Sequence, residues 1–317
     1  MKRYIATILT ISAALSFATR TRAVPIGTEP VRGHPRALRT LWILDRPALA
    51  AAGIERPTRI AFDGDGRLHV LDSATGRIVT LDPDGHALHS VGGYGADETS
   101  FLLPIDLVVD RNQSVLVLDR GRGAVLAFDR DGRYLATRAL DDAAADEARE
   151  AEARLVLDSF GTLYLLAPRE RDLVRLTERL APARLGRYLV PEDSIRAPRS
   201  AAFLPSGEVW VHDVGALRLF SSTGRLVLTR RTELALTAVS EMALDPEGFL
   251  YVADPTGQRI VVLEPRGALE FERTLGGAAV PWRPTSIAYA PSDRIAVADP
   301  ERREIQVLAV ERGDKGP

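Results

Sequence analysis

The residues best suited to chemistry occupy one recurring position of the chain. Arg59, Asp106, Arg154, Ser200, Glu241 and Ser286 follow one another at intervals of 47, 48, 46, 41 and 45 residues, each preceded by Thr58, Ile105, Ala153, Arg199, Ser240 or Thr285. Guanidinium groups at such positions recognise carboxylate, sulfate or phosphate through paired hydrogen bonds. Carboxylates there hold a cation or move a proton. The same residues also admit a structural use. Arg59, Asp106 and Arg154 fall in consecutive units and can pair with one another, as buried charges must.

Other chemistries are poorly supplied. The chain has no cysteine, so thiolate catalysis, sulfur metal ligation and disulfides are excluded. Asn112 is the single asparagine, and the five histidines, His34, His69, His86, His89 and His212, do not recur at matching positions. His212-Asp213 stands at a strand end where an imidazole beside a carboxylate suits a base, yet no activated serine lies nearby. Its slot is filled in the other units by Leu71, Leu118, Leu166, Ala253 and Ala298, which makes it a packed position. Trp282-Arg283 leads into the last unit and suits stacking on a sugar or peptide. Arginine is used almost to the exclusion of lysine, which occurs only as Lys2 and Lys315, so a lone loop arginine says little.

The spacing that aligns these residues belongs to a repeat. Asp63, Asp110, Asp158, Leu204, Asp245 and Ala290 anchor six units, and nine residues later stand Asp72, Asp119, Ala167, Asp213, Asp254 and Asp299. Around each anchor an apolar strand, a turn, an alternating strand, a polar corner and one or two further strands succeed one another. Gly66, Gly161, Gly207 and Gly248 stand three residues after their anchors, where the turn needs a positive φ; Gln113 and Asp293 take that place in two units. The corner aspartates are read as acceptors for backbone N–H groups rather than as ligand contacts.

A four-stranded sheet that is apolar on both faces cannot bury itself, whereas six arranged in a ring can. The expected fold is all-β: a six-bladed β-propeller of four-stranded antiparallel blades at about 56–93, 102–140, 152–189, 197–233, 235–276 and 282–310. The last blade lacks a strand, and residues 39–44 are expected to supply it and close the ring. Residues 141–153, rich in Ala, Asp and Glu, are expected to form a short helical, solvated spacer. Residues 24–37 read as a linker and 311–317 as a disordered tail.

The blades resemble NHL repeats. The run from Arg56 to Asp63 with Leu68 to Asp72, and that from Leu250 to Asp254 with Arg259 to Leu263, carry the likeness. The resemblance implies a binding platform whose channel mouth is the site, and at the starts of the innermost strands the polar ring replaces the glycines usual in that family. The candidate ligand-binding residues are therefore Arg59, Asp106, Arg154, Arg199, Glu241, His212, Trp282 and Arg283, with no catalytic residue and no metal ligand assigned. Related lactonases and esterases imply the alternative, a hydrolase with a divalent cation such as calcium in the channel.

The N-terminus reads as a secretory leader: Lys2 and Arg3, an uncharged apolar run over 4–18, and Thr21-Arg22-Ala23 as the cleavage site, giving a signal peptide over 1–23. Its removal shifts the formal charge from −2 to −6, and a mildly acidic protein is a poor nucleic-acid binder. The expectation is an exported, periplasmic or extracellular monomer that binds a protein, peptide or glycan, with no cofactor, no nucleic acid and no membrane contact after cleavage.

Overall fold

The structure is a computed structural model and describes residues 33–150, 152–176, 195–213, 215–231, 236, 239–275 and 281–313. The leader, most of the N-terminal linker, residues 177–194 of the third blade and residues 314–317 lie outside the described residues.

Each unit folds as an antiparallel blade with strands ordered as in the chain. A long strand β1 (His34–Leu44) and helix α1 (Arg46–Ala51) precede the first blade, β2 (Pro57–Phe62), β3 (Leu68–Asp72), β4 (Arg77–Leu81) and β5 (Ala87–Gly92). The second holds β6 (Pro104–Val109), β7 (Val115–Asp119), β8 (Ala124–Phe128) and β9 (Tyr134–Ala139), and helix α2 (Asp142–Ala148) leads into the third, β10 (Arg154–Leu157), β11 (Leu163–Ala167) and β12 (Asp172–Leu176). The fourth comprises β13 (Pro198–Phe203), β14 (Val209–Asp213), β15 (Ala216–Phe220) and β16 (Leu226–Arg231). The fifth has β17 (Glu241–Leu244), β18 (Leu250–Asp254), β19 (Arg259–Leu263) and β20 (Leu269–Thr274); β21 (Ser286–Ala290), β22 (Arg294–Asp299) and β23 (Glu304–Gly313) form the sixth.

The sixth blade is completed by β1, which pairs antiparallel with β23 from His34↔Gly313 to Leu44↔Ile305. The pairing is longer than residues 39–44 alone. It takes in residues 34–37 of the expected linker and residues 311–313 of the expected tail.

Apolar clusters fill the gaps between blades, as the two-faced strands require. One joins the first blade to the sixth through Val70, Val79, Ala296 and Val307, and another joins the fifth to the sixth through Tyr251, Val262, Ile287 and Val297. The turns follow the sequence closely. Gln113 and Asp293 adopt φ of 64° and 55°, the conformation that Gly66 and Gly248 adopt elsewhere at 82° and 88°.

Helix α2 departs from expectation. Asp141 caps it by accepting the Ala144 N–H at 2.8 Å, but Ala144, Glu147 and Ala148 are buried, the two alanines against Leu163, Leu165 and Ala167. It is a packed element between the second and third blades rather than a solvated spacer. No helix among the described residues is long and apolar enough to cross a membrane.

Candidate binding site at the channel mouth

Three innermost strands open on proline, and a register shift separates Pro57 from Arg59, Pro104 from Asp106 and Pro198 from Ser200. Proline lacks the N–H that a ladder would use, and the irregularity after it re-aims the next side chain. Arg59 and Asp106 thereby turn into the ring, where they are 8% and 2% exposed.

There they meet residues of the neighbouring blades. Arg59 Nε lies 3.3 Å from Asp106 Oδ1, and Arg59 Nη1 donates to the Thr58 and Thr285 carbonyls at 2.7 and 3.1 Å. Asp106 Oδ2 accepts the Leu155 N–H at 2.7 Å, Glu241 accepts the Ile287 N–H at 2.8 Å and the Ser286 hydroxyl, and Ser286 Oγ accepts the Ile60 N–H at 3.1 Å. Each acceptor thus satisfies an N–H on the inner edge of the next blade, an edge with no further strand to pair it.

The electrostatics follow from burial. Loss of water pushes the Asp106 carboxyl above its ordinary value despite Arg59 and Arg154. Burial likewise raises Glu241 to about 6, with Arg59 opposing and Asp106 reinforcing the shift. Arg154 is lowered to about 10 by burial and by Arg59. Asp106 and Glu241 belong to blades three apart, yet the channel is narrow enough for them to influence each other. Two guanidinium groups and two carboxylates form a floor across the ring.

The floor divides the channel into two chambers. The lower, of about 390 Å³, is lined by all six innermost strands, among them Ile60, Leu107, Val156, Ala202, Met242 and Ala288. The upper, of about 680 Å³, opens on the face where the corners and inner-strand lead-ins lie. Its lining includes Arg56, Arg59, Arg120, Arg154 and Arg199 with a single carboxylate, Glu152. Arg199 is paired with Glu152, and Arg59 with Asp106. Arg56 and Arg120 make no ion pair among the described residues. Tyr94 adds an aromatic wall, half exposed and fixed by donating to the Ser73 carbonyl at 2.7 Å. Its loop is clamped by Arg122, which donates to the Gly95, Asp97 and Ser100 carbonyls.

Of the residues singled out from sequence, Arg59, Asp106, Arg154 and Glu241 come together and Arg199 lines the same mouth. His212 does not. It is 2% exposed, lines neither chamber, and burial lowers its pKa against the opposing influence of the Leu236 backbone and Asp213. Trp282 is fully buried with Tyr251, Ile287 and Leu308 between the fifth and sixth blades, so it cannot stack on a ligand. Arg283 stays on the surface, its side chain 57% exposed, outside the lining of either chamber and 3.5 Å from Glu301. Sequence reasoning missed Arg56, Tyr94 and Glu152. Arg56 precedes the strand-opening Pro57 and carried a usable signal, whereas Tyr94 and Glu152 sit in connections between units, which the repeat does not register.

A family model described as a 6-bladed beta-propeller matches residues 52–159. No curated protein matches the sequence. Among solved structures, a streptogramin B lyase superposes with a TM-score of 0.63 at 12% identity, covering 87% of this chain and 97% of that one. Virginiamycin B lyase from Staphylococcus aureus gives 0.63 at 11% identity over 87% and 99% of the two chains, and hydrazine synthase of Kuenenia stuttgartiensis gives 0.54 at 13% over 81% and 97%. At such identities the likeness is one of fold, and it agrees with the blades, their order and their closure: the chain is a six-bladed β-propeller.

Proposed function

We propose that the protein is an exported, non-catalytic binding module that takes an anionic group of a protein, peptide or glycan ligand into the upper chamber of its channel. The carrying observation is the mouth itself, five arginines against one carboxylate, with Arg56 and Arg120 outside any ion pair of the described residues. Beneath them a closed ion network forms the floor, so an incoming carboxylate, sulfate or phosphate meets guanidinium groups that need not leave another partner. The rigid Tyr94 loop adds an apolar wall. Export rests on the leader; an unprocessed Met1 in the purified protein would remove that part of the reading.

Titration of acidic peptides and of uronate and sulfated oligosaccharides by calorimetry tests the proposal. Arg56→Glu/Arg120→Glu is expected to raise Kd at least about tenfold for a bound anion and to leave Tm nearly unchanged. Equal binding by both forms would dismiss the mouth as the site.

A second reading, an enzyme of the channel, is favoured by Glu241, whose pKa of about 6 suits acid–base work near neutral pH. Two of the solved structures that share the fold are lyases, and a shared fold at 11–12% identity does not carry an activity with it. The metal-dependent hydrolase version fits these residues poorly. Asp106 and Glu241 already serve Arg59 and backbone N–H groups, and Asn112 lines a different groove between the second and third blades. Turnover of a lactone or ester panel, lost in Glu241→Gln, would favour this reading over the first.

A further inference from the structure

We propose a divalent transition-metal site at the seam of the ring, in which His34, Glu264 and Glu270 hold an ion such as Zn²⁺ and clasp the closing strand to the fifth blade. The three side chains come from separate segments: the first residue of β1, the turn after β19 and the second residue of β20. One ligand atom from each lies within 4.8 Å of the others. Ligands on a tetrahedral zinc ion stand roughly 3.4 Å apart. His34 Nδ1 and Glu270 Oε2 are already at 3.5 Å.

Two features argue for an ion rather than a chance grouping. Glu264 and Glu270 repel each other, and among the described residues the His34 contact is the single ion pair that either makes. The imidazole is also held in place. Its edge packs against the Phe249 ring at 5.1 Å and 72°, while its backbone pairs with Gly313 in the sixth blade. The side chains are partly buried, His34 at 38% and Glu270 at 19% exposure, which leaves water room to complete the coordination. An imidazole with two carboxylates suits zinc, cobalt or nickel rather than calcium or magnesium, which prefer oxygen alone.

The bound ion would tie blade five to the N-terminal strand at the one place where ring closure depends on a segment distant in sequence. The test uses tag-free full-length protein stripped with EDTA and titrated with ZnCl₂ by calorimetry, with Tm read in parallel. One equivalent is expected to bind with micromolar Kd, and Tm is expected to rise by about 5 °C at a hundredfold excess over Kd. His34→Ala and Glu264→Gln should abolish both effects while melting in EDTA close to the parent. Should His34→Ala fold poorly, Glu264→Gln, a change of nearly equal size in a half-buried turn position, carries the test alone. No saturable binding, binding undiminished in Glu264→Gln, or an equal Tm rise with CaCl₂ would each overturn the site.

Discussion

Glu241 shows how a single buried carboxyl couples the floor to pH. Its ordinary pKa of 4.5 is raised to about 6 by burial, with Asp106 reinforcing and Arg59 opposing. Between those values the folded protein holds a proton that the unfolded chain has released. The group's contribution to stability is therefore full below pH 4.5 and is lost as pH rises through about 6. At about 1.4 kcal/mol per pKa unit the effect is on the order of 2 kcal/mol. Glu241→Gln keeps an acceptor for the Ile287 N–H and does not titrate, so its Tm relative to the parent is expected to gain between pH 4.5 and pH 7.5. A constant difference across that range would show that Glu241 is ionised throughout. The charged residues of this floor and the pairing of Arg59 with Asp106 were legible from their register, but the nearness of Glu241 to that pair was not. Spacing along the chain gives the order of blades and says nothing of how close opposite blades come at the axis. His212 and Trp282 were misplaced for a related reason. Register puts a residue at the right height on a strand or lead-in, and alternation or packing then decides whether it faces the mouth or the gap between blades.

At the scale of the element, the corner aspartates do more than close their own turns. Asp119 accepts the Gly121 and Arg122 N–H groups at 3.0 and 3.3 Å, and also those of Leu102 and Leu103 at 2.8 Å, seventeen and sixteen residues earlier. Asp72 does the same with Glu55 and Arg56, Asp213 with Arg196 and Ala197, and Asp299 with Arg283. Each carboxylate clasps the lead-in of its own blade's inner strand to the corner, and so positions the residues that ring the mouth. Asp119→Ala would leave four donors without their acceptor, at a cost of about 2–4 kcal/mol, with Asp119→Asn recovering part of it in a urea unfolding curve. A loss below about 0.5 kcal/mol would mean that water replaces the clasp. The nine-residue offset announced these aspartates as scaffold. Their reach back to the preceding segment was invisible, because it depends on the loop between blades, which varies from unit to unit.

At the scale of the molecule, the ring is held shut by more than the pairing of β1 with β23. Arg312, near the end of β23 and 7% exposed, lies 2.7 Å from Asp245, 2.8 Å from Asp293 and 3.4 Å from Glu247, and it donates to the Gly33 carbonyl. Burial raises the pKa of Asp245 and Glu247 even with this partner. Arg312→Met would strand three carboxylates at the seam, and a destabilisation of about 3–5 kcal/mol is expected, read as a large fall in Tm. A change of only a degree or two would show that the carboxylates simply take up protons. The ring and its N-terminal closing strand could be deduced from sequence, since a sixth blade one strand short leaves a place for the apolar strand that precedes the first. Arg312 could not: polarity made residues 311–317 look like a tail, and the partners of this arginine come from a hairpin turn of the fifth blade and one of its own sixth blade. The central claim concerns the basic chamber that this frame supports. Calorimetric titration of anionic oligosaccharides and acidic peptides into the parent and Arg56→Glu/Arg120→Glu tests it most directly. Salt-sensitive binding that weakens at least about tenfold in the variant, with Tm preserved, is the expected result. Binding that ignores both the substitutions and the salt would contradict it.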